Sequence, residues 1–144
     1  MARFALDTSC MVAAVCTWHE HHQRAAGGLN RRLNARQAMV SPAPALIETY
    51  AVLTRLPAPH RLSARDALQL IEANFVRGAR VVALDVGEYV ELLREAPEGG
   101  VVGGRVYDAV IARCAVRGRA TSILTFNESD FESFGLPELE ILAP

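Results

Sequence analysis

The chain has 144 residues, 51% of them hydrophobic, and a formal net charge of −1. This composition excludes a disordered chain and predicts one domain, residues 1–144, large enough to bury a core without staples. The charge balance offers no global attraction to nucleic acid or membrane and leaves only a local basic patch for such a role.

All 15 basic side chains of the Lys+Arg count are arginine. Arginine suits phosphate and carboxylate partners, although a GC-rich genome gives the same bias. Cys10, Cys16 and Cys114 lack metal-ligand spacing. An odd count with no framework predicts reduced thiols in a cytoplasmic protein. Asp7 interrupts the N-terminal apolar run too early for a signal peptide, and no run is long enough to span a membrane.

Arg3 to Leu6 reads as a short buried strand, after which Thr8 and Ser9 cap a helix through "SCMVAAVCTW". A second helix starts around "HEHH" and reaches about Arg36. "QAMVS" is a second strand. Pro42 and Pro44 lead into the helix "PALIETYAVLTRL", with Leu46, Tyr50 and Leu53 on one face. Ser63 caps the next helix, "ARDALQLIEANF", whose buried stripe is Leu68, Ile71 and Phe75. "ARVVALD" is a third strand and "VGEYVELLREA" a helix. The loop "EGGVVGG" precedes the helix "VYDAVIARCAVRG", with Gly118 as its C-cap. "TSILT" is a fourth strand, "NESDFESFG" a loop or short helical turn, and "ELEIL" a fifth strand.

Short apolar strands alternating with helices predict an α/β protein whose parallel sheet is covered on both faces. Ligands of such sheets bind beyond the carboxyl ends of the strands. Asp7 ends the first strand there, and a half-buried carboxylate needs a partner. An ordinary helix cap is the alternative reading. Glu48 lies in the helix after strand two, Asp108 in the first turn of the helix after the glycine loop, and Asp130 just past strand four. All four converge on one rim. Carboxylates crowded together raise one another's pKa or bind a cation. Hard oxygen donors select Mg²⁺ or Mn²⁺, which points to metal-assisted hydrolysis of a phosphodiester.

Four blocks carry a family resemblance: "ALDTSCMVAAV", "PALIETYAVLTRLP", "GGRVYDAVIARCAVRG" and "SILTFNESDFESFG". In this order, over nearly the whole chain, they resemble the PIN-domain ribonucleases, and most of all the VapC-type toxins of bacterial toxin–antitoxin modules. The resemblance implies a PIN-like three-layer α/β/α fold with a five-stranded parallel sheet in the order 3-2-1-4-5. It implies a Mg²⁺-dependent endoribonuclease toxin, a cognate VapB-type antitoxin that plugs the acidic groove, and a homodimer, for which the helix "YAVLTRLP" is a candidate interface set against ordinary core packing. Its acidic quartet falls on Asp7, Glu48, Asp108 and Asp130. Asp7 and Asp108 are the direct metal ligands, while Glu48 and Asp130 hold metal-bound waters. The fourth role is shared in some family members with the position of Asn127. Thr8, Ser9, Thr125 and Asn127 give polar support. Arg105 is a candidate RNA contact, set against a solvated loop charge.

Other readings stay open at this point. His19, His21 and His22 lack a clear i, i+4 pair, so a polar helix start is set against a metal site. "GGVVGG" is not followed by Gly-Lys-Ser/Thr and is not a phosphate loop. Arg24, Arg31, Arg32 and Arg36 form a solvated helix face or a macromolecular contact. A phosphatase using an aspartyl nucleophile expects a second aspartate where Ser9 stands. A catalytically inert PIN module and a housekeeping RNA-processing nuclease are the remaining alternatives.

Overall fold

The computed structural model describes residues 2–144. Its elements are β1 (Arg3–Leu6), α1 (Thr8–Val15), α2 (His22–Asn34), β2 (Ala38–Pro42), α3 (Ala43–Arg55), α4 (Ala64–Ile71), β3 (Arg80–Val82), α5 (Val86–Glu95), α6 (Arg105–Arg117), β4 (Ser122–Leu124), α7 (Glu128–Glu132) and β5 (Glu140–Leu142). The strands form one five-stranded sheet in the order β3-β2-β1-β4-β5, with every pairing parallel. Helices flank the sheet in a three-layer α/β/α arrangement, as expected.

β1 is the central strand, and Phe4, Ala5 and Leu6 are fully buried. The strand order reverses between β1 and β4, so the crevice of this sheet opens at their carboxyl ends. The backbone N–H of Asp7 donates to Leu124 O at 3.1 Å and locks those two ends together. A second, smaller apolar cluster, Val12, Cys16, Leu53, Ala67 and Ile71, joins α1, α3 and α4. It fixes α3, and with it Glu48, beside α1.

Gly118 is the C-cap of α6, but its φ is −75°, open to any residue. Its reason is space: a Cβ there would lie 2.5 Å from Val40 Cγ1 and 3.1 Å from Val82 Cγ2. Arg119 takes the left-handed turn instead, at φ 61°.

Several local expectations are corrected. Asp7, not Thr8 or Ser9, caps α1, because its carboxylate accepts from Cys10 N. α1 stops at Val15, before Trp18. α2 stops at Asn34 because Arg36 adopts a positive φ of 60°. Leu68 is 48% exposed, and Ala67 takes its place in the buried stripe. The helix runs on as a π turn, Glu72–Val76. Its wider winding keeps the four-residue spacing Ala67, Ile71, Phe75 on one side. Tyr50 is 39% exposed and shares no core face with Leu53, which is fully buried. β3 ends at Val82, because Asp85 is already the N-cap of α5, in a capping box with Glu88.

Candidate active site

Asp7 follows β1 and is 1% exposed. Its Oδ1 accepts from Ser9 Oγ at 2.7 Å and from Cys10 N at 2.9 Å. Its Oδ2 accepts from Thr125 Oγ1 at 2.6 Å. A carboxylate has about four acceptor sites, so these three bonds leave it one lone pair to offer. Burial pushes its pKa up, and the bonds from Thr125, Ser9 and Cys10 pull against that shift.

The donors are positioned in turn. Thr125 is fully buried, just past β4, and its Oγ1 accepts from Asn127 N at 2.8 Å. Ser9 Oγ accepts from Phe126 N at 3.3 Å. Asp7 is thus held from the α1 side and from the loop after β4.

The cleft above Asp7 has a volume of about 750 Å³, and Glu48, Asp108 and Asp130 line it with Asp7, Thr8, Ser9, Arg105 and Asn127. All four expected carboxylates therefore share one cleft, while Thr125 supports it from beneath. Asp108 sits in the first turn of α6 and is half-buried. Its pKa is pushed up to about 6, first by burial and then by the negative charges of Asp7, Glu48 and Asp130, with Arg105 opposing. The site is electrostatically frustrated until a proton or a cation enters it.

The donor set fits a hard divalent cation in kind: it is all oxygen, with excess negative charge. Thr8 Oγ1 gives an independent sign. It is buried at the cleft wall without a hydrogen-bond partner, as suits a hydroxyl that faces an ion's water. Among the described residues, however, no three His, Cys, Asp or Glu side chains form a ready metal cage. The carboxylates would close on an ion by side-chain rotation or through its waters. Mg²⁺ commonly keeps several of its waters, which suits such a site.

Arg105 is not a solvated loop charge. It donates to Gly100 O at 3.1 Å and to Ser133 Oγ at 2.5 Å, and its Nε lies 3.9 Å from Asp130 Oδ1. It therefore ties the glycine loop and α7 together at the mouth of the cleft. The histidines build no metal cluster among the described residues. His22 Nδ1 lies 2.9 Å from Ala13 O, His19 Nδ1 accepts from His21 N at 3.0 Å, and His21 is the residue before α2. The cysteines are free and buried. Burial raises the Cys114 thiol to about 11, which keeps it protonated and inert.

Sequence reading missed the aromatic wall of the cleft. His21 stacks on Phe126 with centroids 4.7 Å apart, and both line the cleft. The only available signal was Phe126 itself, an aromatic between two polar residues, Thr125 and Asn127.

The PIN domain family matches residues 4–135. The chain is 36% identical over 137 residues to Ribonuclease VapC40 of Mycobacterium tuberculosis, covering 95% of this chain and 96% of that one. The fold is similar to the crystal structure of M. tuberculosis VapC20, a sarcin-ricin loop cleaving toxin, with a TM-score of 0.71 at 19% identity. That match covers 98% of this chain and 99% of the other. It is also similar to a chain of DNA-bound VapBC from Salmonella typhimurium, with a TM-score of 0.65 at 24% identity over 99% and 98% of the two chains. With an acidic cleft at the β1/β4 crevice and a relative of this identity over almost its full length, the chain belongs to the PIN-domain family, in its VapC branch.

Proposed function

We propose that the protein is a Mg²⁺-dependent endoribonuclease that hydrolyses RNA phosphodiester bonds, and the toxin of a type II toxin–antitoxin pair. The observation that carries the reading is the meeting of Asp7, Glu48, Asp108 and Asp130 in one cleft, with the Asp108 pKa raised first by burial and then by the other three. A relative 36% identical is named a ribonuclease, which supports the reaction class.

Asp7 and Asp108 are assigned to hold the ion. When bound, it supplies an activated water and stabilises charge on the phosphoryl oxygens. Asp7 is oriented for this by Thr125, Ser9 and Cys10 N. Glu48 and Asp130 hold and orient water on either side. Arg105 sets the position of Asp130 and the glycine loop rather than reaching for RNA. Mn²⁺ satisfies the same donors.

The acidic cleft also suits a partner that inserts an arginine, because a guanidinium would relieve the same charge crowding. VapB–VapC pairing in the solved complexes supports a VapB-type antitoxin as that partner. Ile47, 73% exposed on α3, supports a homodimer through this helix, which sedimentation at varied concentration tests.

The direct test is cleavage of total cellular RNA by antitoxin-free protein, with and without Mg²⁺, beside Asp7→Asn and Asp108→Asn. Discrete Mg²⁺-dependent cuts that vanish in both variants are expected. Cuts that persist in the variants would remove the acidic-site mechanism.

A further inference from the structure

The acidic cleft poses a problem of affinity. Proteins hold RNA largely by neutralising phosphates with cations. Here the walls carry four carboxylates and Glu20, and the only arginine among the lining residues is Arg105. Its guanidinium is already committed to Gly100 O and Ser133 Oγ. The chain as a whole is at −1. Beyond an ion at the acidic site, side-chain charge therefore gives a polyanion little hold at this cleft, and another kind of contact can add it.

One side of the cleft offers it. A continuous run of flat side chains leads from the surface to Asp7. His60 stacks on Trp18 at 4.1 Å between ring centroids, with the planes 21° apart. Trp18 lies 5.8 Å from His19, and His19 lies 5.7 Å from His21. His21 stacks on Phe126 at 4.7 Å and 23°, and the Arg24 guanidinium lies 5.4 Å from the Phe126 centroid. The inner end is coupled to the acidic site: Phe126 N donates to Ser9 Oγ, which donates to Asp7 Oδ1. The outer end is wet. Trp18, the single tryptophan of the chain, is 46% exposed instead of filling the core. Rings with nothing to do but pack would be expected inside. These five come from two separate loops and the turn before α2: His19, His21 and Phe126 line the cleft, and Trp18 and His60 carry the run on along the neighbouring surface.

We propose that this edge, Trp18 and His60 outside and His21 and Phe126 inside, is a stacking track for unpaired nucleobases adjoining the phosphate held at the acidic site. Every base has a π-face, and aromatic and imidazole rings are the usual platforms for splayed bases. A paired helix keeps its bases stacked on one another and cannot offer them. Arg24, at the inner end of the run, is free of ion pairs among the described residues and is placed for the one phosphate contact the track has. The proposal rests on the ribonuclease reading and names the residues that would hold the bases of its substrate.

Trp18 is its own reporter. Full-length Asp108→Asn protein, expected to bind RNA without cutting it, is titrated with three probes of equal length: an unpaired RNA, a ribose-phosphate strand without bases, and a perfect RNA duplex. The expected result is quenching of Trp18 fluorescence by the unpaired RNA alone. Phe126→Ala is expected to weaken binding about tenfold, and Phe126→Tyr to restore it. Trp18→Ala, at a surface site 46% exposed, is expected to weaken binding similarly when read by anisotropy of labelled RNA. Equal binding of the base-free strand or the duplex overturns the proposal. So does quenching by an arginine-rich peptide with none by RNA, which would assign the edge to a protein. Cleavage of RNA by the native chain, with equal efficiency in Phe126→Ala and Trp18→Ala, overturns the track and leaves the nuclease standing. Quenching by unpaired RNA, with no Mg²⁺-dependent cleavage by the native chain, removes the nuclease and keeps the binding surface.

Discussion

Thr125 Oγ1 donates to Asp7 Oδ2 at 2.6 Å, a bond that spans the β1/β4 crevice and joins residues 118 apart in the chain. It is the contact with the largest opposing effect on the burial-driven rise of the Asp7 pKa. Thr125→Val keeps the shape and removes the hydroxyl. It leaves Asp7 short of a donor and Asn127 N without its acceptor. A hydrogen bond to a charged group contributes about 2 kcal/mol, so a loss of that order is expected at pH values where the carboxylate is charged. The sign with pH follows from the carboxylate. Its folded pKa, already raised, rises further in the variant, and the charged form is the one penalised. The loss should therefore shrink as pH falls through the folded pKa. Urea unfolding over a pH series from alkaline to acid measures this, and a loss independent of pH would count against it.

Asp108 carries the opposite kind of prediction, because its removal is expected to stabilise. Its pKa of about 6 lies above the ordinary 3.8. In the metal-free protein the folded state binds the proton more tightly than the unfolded state between those two values. Stability contributed by this group is present below about pH 4, falls as pH rises, and is gone above about pH 6. Asp108→Asn removes the ionisation. Because the group is half-buried, the shift is discounted for solvent screening to about 1 kcal/mol, or roughly 3 °C in Tm at this chain length. The gain should appear at pH 7.5 and vanish near pH 4. Millimolar Mg²⁺ should raise the native Tm at pH 7.5 by more than it raises the variant's. A variant no more stable than the native chain at pH 7.5 would remove the charge-crowding account.

The four carboxylates were legible in the sequence because strand–helix alternation assigns their rim without any knowledge of side-chain contacts. Their hydrogen bonds were not. Asp7 wins the α1 cap over Thr8 and Ser9 because its carboxylate also gathers Ser9 and Thr125, and Thr125 is distant in sequence. Leu68 loses its core place to Ala67 because both stand at helical spacing from Ile71, and only packing beside Val12 and Leu53 in the folded chain decides between them. Arg105 was read as an RNA contact or a solvated loop charge, and its clamp on Ser133 was not seen because that residue comes near it only through tertiary folding. The stacking run was missed for the same reason, since His60 meets Trp18 and Phe126 meets His21 only in the folded chain.

Gly118 tests the packing of α6 against the sheet, and so the footing of Asp108 at that helix's other end. Gly118→Ala adds a Cβ 2.5 Å from Val40 Cγ1. The backbone conformation accepts alanine, so the cost is overpacking, about 1–3 kcal/mol. Val40→Ala alone opens space and is also expected to destabilise. The pair should be more stable than the sum of the single losses, because each relieves the other. Additive losses in chemical denaturation would mean the contact is not the reason for the glycine.

Arg105 separates holding from contacting. Its guanidinium bridges Gly100 O and Ser133 Oγ while its Nε faces Asp130. A lysine has no fork and cannot span both acceptors in that geometry. Arg105→Lys keeps the charge, so a residue that only attracted phosphate would tolerate it. A clamp would not. Faster amide exchange is expected across residues 100–104 and in α7. RNA cleavage should fall through turnover, because Asp130 drifts, while binding of uncleaved RNA stays near native. Weaker binding in Arg105→Lys at unchanged exchange would instead return Arg105 to direct contact with the RNA backbone.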